Sequence, residues 1–212
     1  MVTDPFAPPV IAELDLLAYR REVGELYAEV RRRGASEDTW RWWTSARDTL
    51  FAEHPASPFV AGDVAFDGLS YHDYDPALHL GDLPLEPAEP YELTIGHSSG
   101  GATPARRFAT LDLEVAGERG RVSVFWLEVY GGGVFVPLRD ASNGDTTYAG
   151  GRYALDTAKG ADLGGRDGRL TLDLNFAYHP SCVHDPRWSC PLAPPDERLG
   201  VPVIAGERLR PS

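Results

Sequence analysis

The stretch TLDLEVAGERGRVSVFWLEVY, residues 110–130, decides the fold class. Thr110, Asp112 and Glu114 alternate with Leu111, Leu113 and Val115, the two-residue period of a strand with one face in water. GERG at 117–120 is turn chemistry, and the following RVSVFWLEVY, Arg121 to Tyr130, is apolar on both faces, as a central covered strand would be. The whole stretch predicts an antiparallel hairpin.

The same alternation returns downstream, where Leu170, Leu172, Leu174 and Phe176 alternate with Arg169, Thr171, Asp173 and Asn175. The connections YGGGV at 130–134, SNGD at 142–145 and GGRDG at 164–168 are short and glycine-rich, so successive strands are expected to pair with their neighbours. About six to eight such strands form an antiparallel meander, which limits its exposed edges by curling into a barrel or a strongly bent sheet. The proline-bearing GDLPLEPAEP, Gly81 to Pro90, reads as a loop or edge crossing.

Upstream the period is helical. Val10, Leu14, Leu17, Val23, Leu26, Tyr27 and Val30 form one apolar stripe, closed by three arginines at 31–33 and by Gly34. Ser36 then caps a second helix with Glu37 and Asp38 in its first turn, and Trp40, Trp43, Arg47, Leu50 and Phe51 follow at spacings of three and four up to Pro55. Tryptophans on that stripe are expected in the core rather than at a sugar or membrane surface. The expected class is therefore mainly β with two N-terminal α-helices in a single domain over 1–212, with a helical segment at about 10–54 and a β-rich body at about 60–207.

Composition narrows the partners. The 212 residues carry a formal net charge of -12, and only Arg31, Arg32 and Arg33 cluster positive charge, so nucleic acid and anionic membrane surfaces are not expected partners. Acids at Asp4, Glu13 and Asp15 replace the basic start of a secretory signal, and no apolar run approaches the roughly 20 residues of a membrane span. A cytoplasmic location is expected, where paired cysteines are more often thiols than bridges. There is no G-x-x-x-x-G-K-[ST], no G-x-G-x-x-G before a helix, no H-E-x-x-H and no G-x-S-x-G.

Two segments concentrate functional side chains. In LRDASNGDTTYAGGRY, residues 138–153, Arg139 and Asp140 end one strand, while Tyr148 and Arg152 are expected on one face of the next, with Gly150 between them leaving room for a ligand. Alternatively, Arg152 pairs with Asp140 and braces the hairpin. In NFAYHPSCVHDPRWSC, residues 175–190, Asn175 and Tyr178 close the last long strand, and His179, Cys182, His184 and Cys190 follow as H-x2-C-x-H-x5-C. These are zinc or copper ligand types, although four ligands from one short proline-stiffened segment is not a finger spacing. The cysteines are otherwise separate buried thiols, a disulfide contributing roughly 2.5 kcal/mol in the chain-entropy model, or a nucleophile at Cys182 activated by His179 or His184.

FVPLRDASNGDTTYAGGRYALD, LTLDLNFAYHPSCVHDPRWSCPLAPPDERL and VPVIAGER resemble, in order and spacing, the C-terminal half of the domain of unknown function family 1684. WRWWTSARDTLFAEHPASPF and FDGLSYHDYD resemble its N-terminal part, so the likeness covers about Trp40 to Glu207. It implies one folded unit and no particular reaction. Asp140, Tyr148, Gly151, Arg152, Asn175, Tyr178, Cys182, Cys190 and Glu207 fall in the shared blocks. Where the family has a PPENRL-like ending, this chain has Asp196-Glu197-Arg198.

The favoured expectation is a small-molecule-binding β-barrel, enzymatic or not, in which Arg139, Asp140, Tyr148, Arg152, Asn175 and Tyr178 orient a polar or anionic ligand without a cofactor. The alternatives are a metalloprotein using the Cys/His set and a structural or partner-binding barrel with an exposed apolar patch.

Overall fold

A computed structural model describes residues 10–59, 66–195 and 198–210. Asp4, Asp196 and Glu197 lie outside these residues. Helix α1 spans Val10–Arg33 and ends where Gly34, at φ +79°, donates to the Val30 carbonyl at 3.0 Å. Helix α2 spans Glu37–Glu53, and Ser36 Oγ accepts from the Thr39 amide at 3.1 Å, as a capping serine should. Trp43 is wholly buried, its ring edge-on to Phe176 at 5.0 Å, and the Trp40 indole donates to the Asn175 carbonyl at 3.1 Å. The tryptophan stripe fastens α2 to the β body.

The strands are β1 His79–Pro84, β2 Glu86–Gly96, β3 Ala102–Val115, β4 Glu118–Leu127, β5 Val134–Leu138, β6 Arg152–Asp156, β7 Gly165–Arg166 and β8 Arg169–Asp173. β2 to β6 form the expected antiparallel meander, in the order β2-β3-β4-β5-β6. In β3, Leu111, Leu113 and Val115 are buried while Asp112 and Glu114 are exposed, and Asp112 pairs in register with Arg121 of β4. β4 buries both faces: Val122 and Val124 join the main core with Leu26, Tyr27 and Trp43, whereas Phe125 and Leu127 join a second cluster with Phe135 and Tyr153.

Neither the barrel nor the strongly bent sheet forms. β1, β8 and β7 make a separate three-stranded antiparallel sheet, with His79 opposite Asp173 and Leu83 opposite Leu170. Closure would need β2 to pair with β6, and neither edge reaches the other. The edge of β6 is instead occupied by the chain that follows β8: Tyr153 and Tyr178 exchange backbone hydrogen bonds at 2.9 and 3.0 Å. An edge covered in this way has no need of closure.

Three local readings also change. GDLPLEPAEP is mostly strand, since it carries the end of β1 and the start of β2, both edge strands, where a proline's missing N–H can face away from the ladder. The last strand stops at Asp173 because its carboxylate accepts from the Asn175 amide at 3.0 Å and starts a 3-10 turn over Leu174–Phe176. β4 ends at Leu127, so Glu128 to Tyr130 belong to the turn, and Tyr130 is fully exposed.

Candidate functional site

The hairpin of residues 138–153 is braced. The Arg152 guanidinium, with no solvent exposure, donates to Asp140 Oδ2 at 3.0 Å, to the Val203 carbonyl at 2.9 Å, to the Glu207 carbonyl at 3.2 Å and to the Ala205 carbonyl. Asp140 Oδ1 in turn accepts from the amides of Ser142 and Val203 at 2.8 and 3.1 Å. Of the two sequence alternatives, the brace is the one built. Tyr148 lies in the loop before β6, and its ring fills the space over Gly150, where an added Cβ would meet Cε1 at 2.4 Å. Arg139 is spent on the Ala193 and Ala149 carbonyls at 2.9 and 3.1 Å. Asn175 is wholly buried and holds both the amide and the carbonyl of Asp75, at 2.9 and 2.8 Å. Arg152 and Asp140 tie the C-terminal segment to the sheets, and none of these five residues lines the cavity described below.

The Cys/His set divides into two groups. His179 Nε2 accepts from the Tyr148 amide at 3.1 Å, which places its ring proton on Nδ1, 3.4 Å from Glu207 Oε1. His184 Nε2 is 3.0 Å from the same carboxylate oxygen. Cys182 and Cys190 are unbridged and face each other instead. Among the described residues no three His, Cys, Asp or Glu side chains come together as a metal site.

What lies open is a cavity of about 570 Å³ between α1, α2, the β4–β5 turn, the turn at Thr157–Lys159 and the segment after Tyr178. That volume is in the range of small-molecule sites. Its position follows from close backbone packing: the Thr157–Lys159 turn ends at Gly160, φ +89°, where a Cβ would come within 3.0 Å of the Gly24 backbone of α1. Arg20 adds a hydrogen bond to the Ala158 carbonyl at 2.8 Å. Leu26, Leu50, Phe51 and Leu127 supply apolar wall, and Tyr130 and Val129 stand exposed at the border.

Polar groups enter this wall from four distant parts of the chain. Arg47 of α2 is buried, donates to Tyr71 Oη at 2.6 Å and to Glu207 Oε2 at 2.9 Å, and lies 5.4 Å from the Tyr178 ring centroid. Burial pushes the Glu207 carboxyl up, but Arg47 and the two histidines more than offset this and hold it well below the usual carboxylate range. Tyr27 Oη is buried with no hydrogen-bond partner. Asp156, the last residue of β6, is 3% exposed, and its Oδ1 has no partner, while Oδ2 lies 3.8 Å from Lys159 Nζ. Burial raises the Asp156 pKa, with Lys159 opposing.

Tyr178 and His179 are therefore the residues of the sequence-predicted sets that border the cavity. Arg47, Tyr27 and Asp156 were missed. A signal existed for each: an arginine on the apolar stripe of a helix, a tyrosine on the stripe of the other, and an acid closing the apolar strand RYALD.

A family model described as "Protein of unknown function (DUF1684)" matches residues 64–208. The chain belongs to this family. A solved relative, the solution NMR structure of the uncharacterized protein from gene locus rrnAC0354 of Haloarcula marismortui, is 32% identical, with 82% of this chain and 98% of that chain covered and a TM-score of 0.53. A search of curated proteins finds no match. The family match includes Tyr71, Asp156, Tyr178, His179 and Glu207, whereas Tyr27 and Arg47 of the helical segment precede it. Among the described residues no helix is long and apolar enough to cross a membrane.

Proposed function

We propose that the protein binds a small amphipathic molecule, with an apolar body and a hydrogen-bonding head, in the cavity between the two helices and the β2–β6 sheet. The supporting observation is a cavity of about 570 Å³ whose lining includes Asp156, a buried carboxylate with one oxygen, Oδ1, that has no hydrogen-bond partner. A buried polar atom without a partner costs about 1–3 kcal/mol, so a ligand donor that satisfies it gains affinity by that order. Tyr27 is a second buried lining residue with an unpartnered hydroxyl. Leu26, Leu50, Phe51 and Leu127 suit the apolar body.

Charge selects the head group. Arg47 is balanced by Glu207 and Lys159 lies 3.8 Å from Asp156, which favours a polar head carrying an O–H or N–H over a bare anion. Thermal shift with a panel of amphipathic alcohols, amines, amides and carboxylates tests this. A compound of the first three classes raises Tm, and the shift shrinks in Asp156→Asn and Tyr27→Phe, neither of which lowers the ligand-free Tm by more than a few degrees. A panel without a stabilising member, or shifts equal in both variants and wild type, rejects the site.

A further inference from the structure

The segment that holds the cysteines carries chemistry separate from the cavity. Cys190 is wholly buried, and its backbone is pinned to the end of β2: the Ser98 amide donates to its carbonyl at 3.0 Å, its own amide donates to Ser98 Oγ at 3.3 Å, and the Leu192 amide donates to Gly96 O at 2.9 Å. Cys182 sits on the 3-10 turn Ser181–Val183 and is partly exposed. The two thiols are unbridged and close enough to act on each other, and Ser98 and Tyr148 act on Cys182 as well. The site thus holds one half-buried cysteine beside one that is wholly buried.

From this geometry we infer that Cys182 and Cys190 form a redox-active dithiol, in which Cys182 is the attacking sulfur toward hydroperoxides and Cys190 resolves the product to an intramolecular disulfide. The Cys182 thiol gives up its proton and the thiolate attacks the terminal peroxide oxygen; the S–O bond forms, the O–O bond breaks, and the leaving alkoxide or hydroxide takes up the proton that Cys182 released, as alcohol or water. Cys182 is then a sulfenic acid, oxidised by two electrons, and the peroxide is reduced by two. Cys190 Sγ next attacks Cys182 Sγ; the S–S bond forms, the S–O bond breaks, and the leaving hydroxide takes the Cys190 proton as water. The sum is two thiols and one hydroperoxide to one disulfide, one alcohol and one water. An external dithiol returns the disulfide to two thiols by exchange and is itself oxidised to a disulfide.

Electrostatics agree with this division of roles. Its neighbour Cys190 holds the Cys182 thiol below the ordinary thiol value, opposed by burial and aided by Ser98 and Lys159, whereas the same neighbour contact and burial push Cys190 up. Ser181, Ser189 and Pro191, which flank the two cysteines, line the cavity, so the disulfide would join two stretches of its wall.

The test is a hydrogen peroxide titration of the full chain, followed by alkylation of remaining thiols and peptide mass mapping. Expected is a Cys182–Cys190 linked peptide, short by two hydrogens, that dithiothreitol restores. In Cys190→Ala the product stops at a Cys182 sulfenic acid trapped by dimedone, and in Cys182→Ala the Cys190 thiol stays reduced at the same dose. Without oxidant, Cys182 alkylates at least about tenfold faster than Cys190 in the folded protein, a difference that vanishes in urea. Both thiols alkylated in full after peroxide, a disulfide only between molecules, or equal alkylation rates in the folded protein would each overturn the inference. These readouts are indifferent to whether the cavity binds anything.

Discussion

Arg152 Nη2 donates to Asp140 Oδ2 at 3.0 Å, and neither side chain has any exposure to solvent. The pair ties β6 to the end of β5 and, through the carbonyls of Val203, Ala205 and Glu207, to the C-terminal segment that carries Glu207 toward Arg47. A buried ion pair of this kind fixes an arrangement more than it adds to stability.

Breaking it from one side leaves a charge in the core. Asp140→Ala is expected to destabilise the fold by about 3–5 kcal/mol in urea denaturation, and Arg152→Met by a similar amount. The double variant should lose less than the sum of the two. Additive losses would show that the two side chains do not act as a pair.

The Arg47–Glu207 contact, 2.9 Å between groups 8% and 1% exposed, makes the same kind of prediction at the cavity wall. Arg47→Met should cost about 3–5 kcal/mol, because it strands a carboxylate that also faces His179 and His184. Adding Glu207→Gln to Arg47→Met should recover part of that loss. A chevron or equilibrium urea series on the four proteins of the cycle measures it.

Stability should fall as pH drops from about 6.5 toward 4. Burial, followed by the Arg152 and Arg208 guanidiniums, depresses His72 from 6.5 to about 4, against weaker opposition from Asp140 and Asp73. Between these values the unfolded chain binds a proton that the folded chain refuses, so folding weakens with acid across this window. His72→Gln should flatten the dependence of the urea midpoint on pH from 6.5 to 4. An unchanged slope would assign the loss to other groups. Below about 4.5, the depressed Glu207 adds a further loss in the same direction.

Gly151 and Gly144 share a left-handed backbone, φ +89° and +88°, but not their surroundings. At Gly144 an added Cβ comes no closer than 3.9 Å to Ala149, so Gly144→Ala should cost only the backbone strain, about 1–2 kcal/mol. At Gly151 it would meet the Ala193 Cβ at 2.6 Å and the Leu138 carbonyl oxygen at 2.9 Å. Gly151→Ala should therefore lose about 1–3 kcal/mol more, read as a lower thermal midpoint.

The sequence by itself determined the local structure. Ser36 and Gly34 mark helix ends because a cap acts within one turn, and the alternation around Leu111 and Leu113 marks a strand because its period is set by the backbone of that strand alone. The β3–β6 part of the meander was legible for the same reason, since each hairpin joins neighbours in the chain, whereas β2 was hidden behind the prolines of Gly81 to Pro90. Tertiary structure decided what lies between distant segments. The partition into two sheets depends on β1 choosing β8, nearly ninety positions away, over its neighbour β2, and no local pattern encodes that choice. The candidate site depends on it too: Tyr27, Arg47, Asp156 and Tyr178 meet only once helices and sheets have packed. Whether a charged side chain such as Arg152 faces a ligand or a carboxylate is likewise settled by which buried acceptors the folded chain brings within hydrogen-bond reach.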